Sequence, residues 1–171
     1  TTGNVTDFGD MTREHTQHAA CSGTTRGIIA GGGVQGSAAN HVEYITIGSA
    51  GNATDFGDLS AAAELCAANN SSVRACVQHG NDASNQVDII DYFTIASTGN
   101  ATDFGNLTLA RDAMDSTGNA TRGITIAGTG VSPTGLCNVV DYMTFGSTGN
   151  ATDFGDTLAV TKEGAAAGSA H

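Results

Sequence analysis

Apolar and polar positions alternate along this chain in short runs. In Arg122–Gly128 the side chains of Ile124 and Ile126 fall on one face of a strand and Thr125 on the other. Leu109–Met114 alternates loosely, Val139–Phe145 is rich in β-branched and aromatic residues, and Ala151–Phe154 ends the unit. Turn formers separate these runs: Ser116-Thr117-Gly118-Asn119, the Gly/Ser/Pro-rich stretch Thr129–Gly135, and Ser147-Thr148-Gly149-Asn150. No stretch carries apolar residues at helical spacing. The pattern predicts four short strands and no helix.

The unit then repeats. TGNVTDFG begins at Thr2, AGNATDFG at Ala50, and TGNATDFG at Thr98 and Thr148, with offsets of 48, 48 and 50 residues. Four strands at this period select a propeller blade, a small sheet packed face to face on its neighbour. Leucine-rich repeats are shorter, and TPR or HEAT repeats need helices. The expected fold is all-β and β-propeller-like, with four-stranded blades of about 48 residues, three full blades and a partial one. It forms a single repeat domain over 1–171, with blades at approximately 12–58, 59–106 and 107–156 and a tail at 157–171. The chain opens and closes inside the same motif, and three periods fall short of the usual 4–8 blades. A piece of a longer polypeptide, or a ring shared by several chains, is therefore expected.

Composition narrows the function. The net charge of −11, with six scattered cations, argues against nucleic acid, which requires a basic face. No apolar run approaches the roughly 20 residues of a membrane-spanning helix. No signal peptide is visible and residue 1 is not Met, so a processed, truncated or omitted N-terminus is expected. Small residues such as Ala19-Ala20-Cys21 and Ala67-Ala68 suit a crowded innermost strand. Cys21, Cys66, Cys76 and Cys137 share no repeat position and form no CxxC pair, and are expected to be mostly free, small, buried thiols.

Four features recur. Gly3, Gly51, Gly99 and Gly149, each followed by Asn, read as hairpin-turn glycines. Phe8, Phe56, Phe104 and Phe154 read as aromatic wedges between blades, and the Asp before each as a cap on turn amides rather than a Ca²⁺ ligand. The Asp-Phe-Gly triplet is not a kinase motif, because the phosphate loop, strand lysine and HRD loop are missing. Arg26, Arg74 and Arg122 are expected to pair with Glu43, Asp91 and Asp141, the acids preceding Tyr44, Tyr92 and Tyr142. Sequons at Asn4, Asn52, Asn69, Asn70, Asn100, Asn106, Asn119 and Asn150 arise mostly from the repeat itself.

No catalytic, cofactor-binding or metal-binding residue is assigned. His15, His18 and Cys21 form H-x2-H-x2-C, but on a strand positions i and i+3 face opposite sides. There is no G-x-S-x-G elbow and no phosphate-binding loop, and Glu14 and Glu64 are acids that nothing forbids as catalytic groups. Copy-specific residues concentrate in Val34–Asn40, Asp82–Gln86 and Thr129–Leu136, where recognition would lie.

The run Ile28-Ile29-Ala30-Gly31-Gly32-Gly33 followed by Val42-Glu43-Tyr44 resembles the Kelch-type propeller repeat, with Arg111 where that family has a leading arginine. Phenylalanine replaces the family's usual tryptophan, and the glycine doublet is intact only in the first copy. The decamer Thr-Gly-Asn-Ala-Thr-Asp-Phe-Gly-Asp-Leu and the run Cys21–Gly27 resemble repeats of virion structural proteins of tailed phages, particularly marine and cyanobacterial ones. This resemblance implies a non-enzymatic virion component (tail fibre, appendage or capsid-surface protein), found on the virion or outside cells. Its loops would serve host attachment or subunit assembly. Implied partners are other virion proteins, copies of itself, or a cell-surface glycan. A secreted propeller lectin and a fragment of a glycan-degrading propeller enzyme are the alternatives.

Overall fold

A computed structural model describes residues 3–130 and 135–161. Its described residues are all-β, and every strand pairing is antiparallel. The first sheet holds β1 (Ala19–Ser22), β2 (Arg26–Ala30), β3 (Gly33–Val34), β4 (Ser37–Thr46) and β5 (Thr54–Ala63), ordered β1-β2-β4-β5, with β3 also on β4. The second holds β6 (Ala67–Asn70), β7 (Arg74–Gln78), β8 (Ile89–Thr94) and β9 (Thr102–Asn106) in sequence order. In the third, β10 (Arg111–Asp112) and β11 (Asp115–Gly118) both pair with β12 (Arg122–Gly130), followed by β13 (Leu136–Thr144) and β14 (Thr152–Thr161). Strand β14 continues into the segment expected to be a tail, and the remainder of that segment lies outside the described residues.

The sheets pack face to face. Ile28, Ala30, Val42, Phe56 and Leu59 of the first meet Ala75, Val77, Phe93 and Ile95 of the second in one core. Cys76, Ile90 and Phe104 of the second, with Leu107 just after β9, meet Met114, Met143 and Phe145 of the third in another. Strict alternation along β7 explains why the middle sheet is buried on both faces: Ala75 and Val77 point one way and Cys76 the other. The small first strands β1, β6 and β11 lie side by side, tied by Asn69 Nδ2 donating to Ser116 Oγ at 2.7 Å and Asn70 Nδ2 to Ser22 O at 2.8 Å.

The hairpin turns sit earlier than expected. The chain reverses at Ile47-Gly48, Ile95-Ala96 and Phe145-Gly146, where Ser49, Ser97 and Ser147 donate amides to Thr46, Thr94 and Thr144. Asp115–Gly118, which overlaps a predicted turn, is strand β11; the turn follows it, closed by Asn119 Oδ1 accepting from the Thr121 and Arg122 amides.

The Gly-Asn pairs do something else: they bind the preceding repeat. Gly51 N–H donates to Phe8 O at 2.7 Å and Ala53 N–H to Asp10 O at 2.8 Å, while Asn52 Oδ1 accepts from Asp10 N at 3.0 Å. The same three bonds link Phe56 and Asp58 to Gly99, Asn100 and Ala101. They recur between Phe104, Asn106 and Gly149, Asn150, Ala151. Glycine is required on the other side of each rung, because a Cβ on Gly9, Gly57 or Gly105 would stand 2.4–2.5 Å from the backbone of Gly51, Gly99 or Gly149. Asp7, Asp55, Asp103 and Asp153 each accept the amide of the glycine two residues on, which is the capping role expected of them.

Candidate functional site

Two features depart from the repeat. The first is the outer face of the third sheet. Phe56 and Phe104 are wedged between sheets at 2% and 3% exposure, as the wedge reading requires, but Phe154 is 59% exposed. No described residue stands within 4 Å of where a Gly155 Cβ would be, in contrast to its three counterparts. Arg26 Nη1 donates to Ile95 O at 3.0 Å and Arg74 Nη1 to Phe145 O at 2.6 Å, each reaching the next sheet, while their counterpart Arg122 is exposed. Arg122, Ile124 and Phe154 line a shallow apolar groove with Thr117–Asn119. At the other end, Gly3 has open space where its Cβ would be, and Val5 is fully exposed.

These arginines correct the predicted ion pairs. Arg26, Arg74 and Arg122 lie over the rings of Tyr44, Tyr92 and Tyr142, with guanidinium carbons 4.3, 4.3 and 4.8 Å from the ring centroids. The acids are next to those tyrosines in sequence, so they point to the opposite face of the sheet.

The buried acids are the second feature. Glu43, Asp91 and Asp141 are fully buried, and each accepts an amide from a residue that precedes its sheet in the chain: Thr12 at 2.8 Å, Ser60 of β5 at 2.7 Å and Thr108 at 3.1 Å. Each faces a different nitrogen-bearing side chain. His79 Nε2 is 2.9 Å from Asp91 Oδ2, and Arg111 Nη1 is 2.9 Å from Asp141 Oδ2. At Glu43 there are two histidines, His15 at 3.7 Å and His41 at 3.9 Å. Burial alone would push Asp91 up, but the bonds from His79 and the Ser60 amide hold it below the usual carboxylate range. A depressed acid contributes stability above its unfolded pKa of about 3.9 and loses it as pH falls through the lower folded value. Asp91→Asn is therefore expected to cost about 1–3 kcal/mol at neutral pH. In urea melts across pH, its gap from the parent chain closes below about pH 4; a gap independent of pH contradicts this.

His15 has its expected neighbours replaced. Its ring lies 6.1 Å from that of His18, which is exposed, while the ligand atoms of His15, His41 and Glu43 lie within 4.8 Å of one another. The signal was present as His41-Val42-Glu43, since alternation puts i and i+2 on one face. Glu14 is exposed on the N-terminal segment, and Glu64 sits at an isolated bridge to Asn81. All four cysteines are free; burial pushes Cys21 and Cys76 up to about 12 and Cys66 up to about 11, so they stay protonated thiols. Of the copy-specific loops, Val34–Asn40 spans the β3–β4 hairpin and Asp82–Gln86 is a turn capped by Asp82 Oδ1. Residues 131–134 of the third loop lie outside the described residues. No helix among the described residues is long and apolar enough to cross a membrane.

No protein-family model matches this chain. No curated protein matches it either. The open face and the buried acids are therefore read from their own chemistry.

Proposed function

We propose that this chain is a non-enzymatic structural protein of a virion (a tail-fibre, appendage or capsid-surface component) that works by stacking repeats and displaying loops. Its sheets are taken as Kelch-like propeller blades. Three facts support that reading: antiparallel sheets of four or five strands, their face-to-face packing, and the short strands β1, β6 and β11 lying side by side. Three such blades do not close a ring of the usual 4–8.

The observation that carries the proposal is the open outer face of the third sheet. It bears every element that buries the other two: the aromatic wedge, the arginine on its tyrosine, and the Phe-Gly-Asp strand. The partner is a second copy of this chain. Its Gly3-Asn4-Val5 carries the same Gly-Asn motif, likewise unfilled. Such a contact is heterologous and head-to-tail, closing into a ring or extending as a filament according to its rotation.

The copy-specific segments Val34–Asn40, at the β3–β4 hairpin, and Asp82–Gln86, between β7 and β8, are the surface offered to host or neighbouring virion proteins. A glycan array separates this reading from a lectin. The scaffold reading expects no binding at millimolar glycan. Binding abolished by substitutions in Asp82–Gln86 would instead establish the lectin, and turnover abolished by one carboxylate substitution would establish an enzyme.

A further inference from the structure

We propose that His15, His41 and Glu43 form a binding site for a divalent transition cation of the zinc type. The three units compare directly. His15 and Arg111 occupy the same repeat position, and both donate to the same backbone carbonyl: His15 Nδ1 to Gly31 O at 3.1 Å, Arg111 Nε to Ala127 O at 2.9 Å. In the third unit the guanidinium extends beyond that bond and closes on Asp141 at 2.9 Å. In the second, His79 closes on Asp91 at the same distance. In the first, the shorter imidazole ends 3.7 Å from Glu43, beyond hydrogen-bond length, and His41 stands off at 3.9 Å.

The gap has the chemistry of a ligand set. With Nδ1–H committed to Gly31 O, His15 Nε2 carries a lone pair and no proton. That nitrogen and Glu43 Oε1 are buried and have no hydrogen-bond partner among the described residues. Two acceptors facing each other in a dry interior need a cation between them. Glu43 Oε2 is held by the Thr12 amide and hydroxyl, so Oε1 is the atom free to coordinate. His41 Nε2 donates to Thr12 Oγ1 at 3.0 Å. On coordination that proton leaves Nε2 and one is taken up at Nδ1, which lies 3.9 Å from Asp55 Oδ1; the ring stays neutral. His15 has a carbonyl oxygen bonded behind its distal nitrogen, the usual outer-shell support of a metal-bound imidazole, and Asp55 Oδ1 would close from 3.9 Å to give His41 the same.

Zinc–nitrogen and zinc–oxygen bonds of roughly 2.0–2.2 Å put tetrahedral ligand pairs about 3.3–3.5 Å apart. His15 Nε2 stands 3.7 Å from Glu43 Oε1 and all three ligand atoms lie within 4.8 Å of one another, so the side chains close on an ion by moving inward. Two imidazoles and one carboxylate favour zinc and its neighbours over calcium or magnesium, which prefer oxygen alone. The ion would fasten the segment carrying Thr12 and His15 onto β4, as Arg111 fastens the start of the third unit.

Calorimetric titration of the EDTA-treated chain with Zn²⁺ tests this. One ion per chain is expected. Affinity should fall in His15→Gln and in His41→Gln by more than the roughly 10–100-fold that loss of an outer-shell partner costs. His18→Gln should bind as the parent does. Circular dichroism checks that each variant folds. Should His15→Gln unfold, His41→Gln and the visible Co²⁺ spectrum of the parent chain decide, with intense tetrahedral bands expected. Absence of zinc binding, or binding unchanged in His41→Gln, overturns the proposal and leaves an imidazolium–carboxylate pair.

Discussion

Phe104→Ala is expected to destabilise the chain by about 3–5 kcal/mol, while Phe154→Ala stays within about 0.5 kcal/mol. The two residues hold the same position in the same motif, TGNATDFG. Phe104 fills the space between the second and third sheets among Cys76, Ile90, Met143 and Phe145, and its ring meets Tyr92 edge to face at 5.9 Å. Its removal loses both burial and packing, and leaves a cavity that a stiff stack of sheets cannot collapse. Phe154 keeps the corresponding edge contact with Tyr142, also at 5.9 Å, but has no sheet of the described residues above it. Chemical denaturation of the two variants at low protein concentration checks the contrast. Equal losses would mean that something covers Phe154 within one chain.

Arg111→Met is expected to cost about 3–5 kcal/mol, because it strands Asp141 as an uncompensated buried charge. Asp141 keeps only the amide and hydroxyl of Thr108. Three carbonyls, of Ala127, Leu109 and Thr125, also lose their guanidinium donor. Arg122→Met removes only an exposed cation from the face of Tyr142, worth about 0.5–1 kcal/mol. Adding Asp141→Leu to Arg111→Met should recover much of the loss, since an apolar pair avoids the desolvation of both charges. A double mutant no better than Arg111→Met would show that the ion pair is not the source of the effect.

The sequence revealed what depends on alternation and period. Ile124, Thr125 and Ile126 defined a strand, and the regular return of Asp-Phe-Gly located the wedges Phe56 and Phe104, whereas Phe8 and Phe154 in the same motif are exposed. Partners across the stack were harder to read. The adjacency of Glu43 and Tyr44 suggested that both serve Arg26, yet alternation sends them to opposite faces, and Arg26 takes the ring while Glu43 takes His15 and His41. Asn52, Asn100 and Asn150 look like turn residues because Gly-Asn favours turns. Their side chains instead accept amides from the preceding repeat, a contact 42 to 44 residues away that no local rule encodes. His15 was legible as a possible ligand, but its partner histidine lies on β4 rather than along its own segment.

The central claim is that each Asp-Phe-Gly segment docks onto a Gly-Asn segment of the next repeat and that the unfilled halves of this contact join copies head to tail. Sedimentation velocity on complementary lesions tests it most directly. Phe154→Asp spoils only the docking strand, and Val5→Pro removes only the amide that would donate to Asp156 O. The parent chain should form species that grow with concentration, and each variant alone should stay monomeric. The two variants mixed should form dimers and nothing larger. A parent chain that is monomeric up to millimolar concentration, or variants that associate as it does, would contradict the account.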